Sequence, residues 1–126
     1  MDKNKRKQLI EEYKELKTYM GVIQIRNQTN GKIYINCYPN LKNKWLTIRM
    51  QLDLGTFASA QLQQDWKMFG EQAFTYEVLE QKATDKITDI RWEQKQMLKP
   101  WLQKLQPYGE RGYNKPPQDD PSVQTD

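Results

Sequence analysis

The stretch GVIQIRNQTNGKIYIN, residues 21–36, constrains this chain more than any other. Val22, Ile23 and Ile25 lead into Asn30-Gly31, a pair that tolerates positive φ, and Ile33, Tyr34 and Ile35 lead out of it. The pattern predicts a β-hairpin closed by a two-residue type I′ turn. An isolated two-stranded hairpin is marginal in water, so the rest of the chain must supply a third strand or helices to cover it.

The remaining segments supply that cover. Leu9, Ile10, Tyr13, Leu16 and Tyr19 recur at helical spacing and predict an N-terminal amphipathic helix over residues 1–18. Beyond the break at Tyr38-Pro39-Asn40, the spacing of Leu41, Trp45, Ile48 and Leu52 predicts a helix that Gly55 ends. Ser59 caps the next, which runs through Leu62, Trp66 and Phe69 to Gly70. AFTYEVLE, residues 73–80, alternates as a half-buried strand does. Residues 84–106 have a helical pattern that Pro100 should kink or divide. Residues 115–126, rich in proline and poor in apolar side chains, are expected to be a disordered tail. The order is that of an α+β fold: a small, mostly antiparallel sheet of about three strands, the hairpin plus one, covered by helices. Trp45, Trp66, Trp92 and Trp101 lie among aliphatic neighbours, and three of the four are expected inside.

Composition removes several kinds of chemistry. The chain has no histidine, hence neither the commonest general base nor the commonest metal ligand. Cys37 is the lone cysteine, so no intrachain disulfide forms, and without a histidine to activate it the thiol is expected to be inert. No phosphate-binding glycine loop or zinc-ligand spacing occurs, and no cofactor is expected. No run reaches the ~20 apolar residues of a membrane helix, and no hydrophobic signal region follows the charged N-terminus. A cytoplasmic location is the expectation. The net charge is only +4, but residues 21–60 set Arg26, Lys32, Lys42, Lys44 and Arg49 against the single acid Asp53. That basic stretch is either a solvated face or a surface for an acidic partner.

Four blocks in order carry a resemblance: the hairpin, NLKNKW at residues 40–45, LQQDWKMFGEQAFTYEVLE at residues 62–80, and WLQKLQPYGERGYN at residues 101–114. Residues 19–114 resemble the GIY-YIG nuclease family. The resemblance implies a DNA-cutting scaffold with one divalent metal, two tyrosines, an arginine, often a histidine and a metal-binding glutamate around the scissile phosphate. Carried onto this chain, the first tyrosine position is Ile23, the arginine position Lys44, the histidine position Ile48 and the glutamate position Leu98. Tyr34 and Asn114 are kept, although Asn36 replaces the glycine after the second tyrosine. Lysine keeps the charge of arginine but loses its bidentate fork. The expectation is a chain that has kept the scaffold and lost the reaction, with no metal bound.

Two kinds of binding then stand open. A protein partner would meet a cleft made apolar by Ile23, Ile48 and Leu98, with Tyr13, Leu16, Tyr19 and Tyr38 as further anchors. By fold-level analogy, a phage-type inhibitor of a host defence enzyme would be such a protein. Nucleic acid would instead lie on Arg26, Lys32, Lys42, Lys44 and Arg49, bound without being cut and strongly salt-sensitive.

Overall fold

A computed structural model describes residues 17–116. The helix expected over residues 1–18, with Tyr13 and Leu16, falls almost wholly outside the described residues, as does the expected tail beyond Pro116. Strand β1, Tyr19–Asn27, is the centre of a three-stranded antiparallel sheet. It is flanked by β2, Ile33–Tyr38, and by β3, Phe74–Ala83. Three helices cover the sheet: α1, Lys44–Leu54; α2, Ala60–Phe69; and α3, Ile90–Leu105.

Strand alternation divides the core in two. Ile23 and Ile25 of β1, with Tyr34 and Phe74 of its neighbours, face α1 and α2 and bury Ile48, Leu52, Leu62 and Trp66. Val22 with Ile35 and Cys37 faces the other way, toward Met97, Leu98 and Trp101 of α3. A register shift between Val22 and Ile23 against β3 adds local twist to the central strand. Gly21 sits where nothing larger fits: a Cβ there would lie 2.3 Å from the Glu80 carbonyl oxygen and 2.7 Å from Leu41.

The hairpin forms as the sequence predicts, but its turn is longer. Asn27 accepts from the Gly31 amide and donates to the Lys32 carbonyl, enclosing a four-residue loop. Only Gly31 takes positive φ, at 76°, so this is not a type I′ turn. The Asn27 and Asn30 side-chain oxygens accept from the Thr29 and Lys32 amides, and these local bonds favour the wider loop. Ser59 and Gly70 bound α2 as expected, Ser59 accepting from the Leu62 amide.

The last helix differs from its sequence pattern at both points of interest. It starts at Ile90, because Asp89 caps it through the Trp92 amide and residues 84–89 turn, and it runs through Pro100 undivided. The tryptophans also depart from expectation: Trp66 is buried, Trp45 and Trp101 are half-buried, and Trp92 is 57% exposed. Among the described residues no helix is long and apolar enough to cross a membrane.

Candidate functional site

On its α1–α2 side, edge strand β2 presents Tyr34, Asn36 and Tyr38 in alternation. Tyr34 packs edge-on against Phe57, ring centroids 5.4 Å apart, and its hydroxyl accepts from the Asn36 amide at 3.1 Å. Burial and the adjoining Tyr34 phenol push Tyr38 well above the ordinary tyrosine range, so this phenol stays protonated. Lys44 places its ammonium 4.5 Å from the Tyr38 ring centroid.

A cleft of about 550 Å³ opens beside this strand, between the start of α2 and the segment around residues 109–116; Tyr34, Asn36, Ser59, Tyr113, Asn114 and Lys115 line it. Its far wall is a staple. The Asn114 side chain accepts from the Ile35 amide at 2.9 Å and donates to the Ile35 carbonyl at 2.7 Å, standing in for a neighbouring strand. The Tyr113 amide bonds the Ile33 carbonyl, and Gln94 of α3 donates to the Cys37 carbonyl. These contacts cover backbone groups along an edge that would otherwise accept a further strand.

Beneath the cleft lies a polar network absent from the sequence reading. Tyr113 donates to Asp65 at 2.6 Å and accepts from the fully buried Asn27 at 3.1 Å. Asn30 donates to the same Asp65 oxygen. Burial, then the bond to Asp65, pushes the Tyr113 phenol up to about 12. The network ties the hairpin loop to α2 and to the C-terminal segment. Nothing in residue type or spacing announces it, because its members lie 86 and 48 positions apart along the chain.

Of the positions carried over from the resemblance, Tyr34, Asn36 and Asn114 meet in the cleft. Ile23 and Ile48 are 0% and 1% exposed, packed among Tyr34, Leu52 and Phe57. They fill core and do not make an open apolar socket. Leu98 lies on the opposite side of the sheet, half-buried beside Met97 and Trp101. A divalent metal does not fit these residues: the glutamate position is aliphatic, and the described residues contain no group of three or more His, Cys, Asp or Glu side chains able to hold one.

The five cations do not form one surface. Lys32 and Lys42 flank opposite ends of β2, a strand of about 20 Å. Arg26 projects from the α3 side of the sheet, next to Arg111. Arg49 pairs with Glu71 at 2.8 Å and lies over Trp45, leaving Lys44 and Lys42 near the Tyr38 end. Tyr19 is 39% exposed at the start of β1. Cys37 is buried, and desolvation followed by the nearby Glu80 carboxylate pushes its thiol up to about 11. That environment disfavours the thiolate.

A three-stranded antiparallel open sheet flanked by three helices matches the fold of a GIY-YIG catalytic domain. The chain is similar to two solved structures of the homing endonuclease I-TevI. One, the catalytic domain of a point mutant of this intron endonuclease, matches with TM-score 0.63 and 23% identity over 76% of this chain and 92% of that one. The other, the catalytic domain of the homing endonuclease, gives a TM-score of 0.62 and 24% identity over 75% of this chain and 96% of that one. At this identity the likeness establishes the fold alone. No family model matches the chain, and no curated protein does.

Proposed function

We propose that this chain uses a nuclease fold to bind without cutting, and that its partner is a protein. The observation that supports the loss of cleavage is the burial of Ile23 and Ile48. Where the resemblance implies a phenol and an imidazole, two aliphatic side chains close the core, and neither can exchange a proton with a substrate. Of the groups the resemblance implies for phosphodiester hydrolysis, the first phenol, the imidazole and the metal-binding carboxylate are missing, and Lys44 keeps the charge of the arginine without its fork.

The partner surface follows from α1. Its inward residues Ile48 and Leu52 serve the core, yet Leu46, Met50 and Leu54, spaced i, i+4 and i+8, are 51%, 56% and 74% exposed. A second apolar row on the solvent side of a helix has no role in folding the domain and is the type of surface that a protein partner covers. Inhibition of a host defence enzyme by a phage-borne protein is one form such binding would take. The second reading, nucleic acid held in the cleft, draws on Lys115 at its rim and on the endonuclease neighbours.

The test pairs two assays. Incubation with plasmid and Mg²⁺ should give no nicking, and metal-dependent nicking would refute the proposal. Tagged protein should retain one stoichiometric protein from host lysate through nuclease treatment, and Met50→Glu should release it. Retention that disappears on nuclease treatment would favour the second reading.

A further inference from the structure

One helix face is left unexplained by the cleft, the core and the α1 row. Arg91, Lys95 and Lys99 of α3 are all exposed and stand at i, i+4 and i+8. At 1.5 Å rise per residue they form one row with neighbours about 6 Å apart along the axis. Among the described residues none of the three is ion-paired. Like charges at this spacing weaken a helix, so stability does not account for the row.

The acids near the row are few: exposed Asp85 and Asp89 precede its N-terminal end, Asp89 being held by the Trp92 amide as the helix cap. Glu93, the only acid within α3, turns to Lys82 at 2.8 Å. Trp101 reaches Glu80, which puts that flank of the helix toward β3. Gln94 reaches the Cys37 carbonyl, which puts the flank next to the row toward β2. Beside the row lie Trp92, 57% exposed, and the exposed amides Gln96 and Gln103. Past the C-terminal end of the helix, a groove of about 400 Å³ adds Arg26 and Arg111, with Glu110 as its one acid.

We propose that the outer face of α3 is a binding strip for single-stranded nucleic acid, on the opposite side of the sheet from the cleft. Unpaired cations in line match a run of phosphates, whose neutralisation releases counterions. A solvated basic face needs no tryptophan, whereas an exposed indole among cations is a platform on which a base stacks. Stacking on Trp92 needs a base free of its neighbours, which selects a single strand over a duplex. The glutamine amides supply hydrogen bonds to base edges or sugars. The strip does not rest on the proposed protein partner or on the absence of cleavage, so either can fail without the other.

Fluorescence anisotropy of a labelled 12-nucleotide single strand, titrated with the full chain at several salt concentrations, tests it. Changing Arg91, Lys95 and Lys99 together to Gln should weaken binding at least tenfold. The slope of log K against log salt should fall by about two, at roughly 0.7 per phosphate. Trp92→Leu should weaken single-strand binding at least fivefold, leave the salt slope unchanged, and abolish quenching of tryptophan fluorescence by the ligand. Lys42→Glu with Lys44→Glu, on the other side of the sheet, should change the slope little. Because the α3 side chains are exposed, circular dichroism should show all variants folded. Unchanged binding in the triple variant would overturn the proposal. So would equal affinity for the duplex with no dependence on Trp92, or displacement of the oligonucleotide by polyglutamate at equal charge concentration.

Discussion

Asn114 is one of two residues retained from the nuclease pattern, and its geometry says that here it holds the fold. Its amide makes two hydrogen bonds to one residue, 2.9 Å from the Ile35 nitrogen and 2.7 Å to the Ile35 oxygen. Ile35 itself is 0% exposed. Asn114→Ala removes both bonds and leaves an amide and a carbonyl on the strand edge without protein partners. At about 1 kcal/mol net per bond, with a further increment for imperfect rehydration, the loss is about 2–3 kcal/mol. For a domain of roughly 100 residues that lowers Tm by on the order of 10 °C. Asn114→Asp should cost at least as much, because a carboxylate cannot donate to the Ile35 carbonyl and meets it oxygen to oxygen. Urea unfolding followed by far-ultraviolet circular dichroism measures the difference. If Asn114→Ala shifted the midpoint by the equivalent of less than about 0.5 kcal/mol, the staple would not bear on stability, and the side chain would have to be kept for contact with a ligand.

Three further outcomes follow from the packing. Ile23→Tyr, which restores the motif residue, should produce no cleavage and should destabilise by about 1–3 kcal/mol, since the larger ring enters a filled core; metal-dependent nicking by this variant would show that the remaining residues suffice for catalysis. Gly21→Ala should lose several kcal/mol, because the new methyl collides with the Glu80 backbone carbonyl, and a midpoint within 1 kcal/mol of the parent would contradict that close approach. Alkaline conditions should destabilise the protein. The folded state holds Cys37 at about 11 and Tyr113 at about 12, both above their ordinary values of 9.0 and 10.0. The unfolded chain therefore ionises first, and the contribution of these two groups to stability, constant well below pH 9, falls as pH rises from about 9 to 12. Urea midpoints between pH 7 and 12 measure this, and a midpoint that rose across that range would reverse the sign.

Much of the fold was legible because it rests on local signals. Alternation in residues 21–36 gave two strands, Ser59 and Gly70 bounded a helix, and the spacing of Ile48 and Leu52 marked an inward face. Errors arose where local chemistry competes or where a pattern is two-sided. Asn27 and Asn30 side chains widened a turn that Asn30-Gly31 by itself would make tight. Asp89 capped the helix at Ile90, inside the helical pattern that begins at residue 84, which shortened α3. On α1 apolar residues face both ways, so the outer row Leu46, Met50 and Leu54 was hidden behind the inner one.

The site was less legible, for a different reason. The sequence alone determined which residues occupy the motif positions: an isoleucine has no hydroxyl or imidazole in any fold, and a chain without histidine offers none. Only the tertiary structure decided what those replacements do. Burial closes Ile23 and Ile48 into the core, sheet pleat sends Arg26 to the far side, the packing of α3 on that face takes Leu98 there too, and Asp65, Asn27 and Tyr113 meet from distant parts of the chain. Residue type fixes which protons and charges are on offer. Accessibility and convergence depend on pairing register and packing between segments far apart in sequence, and these exist only once the chain has folded.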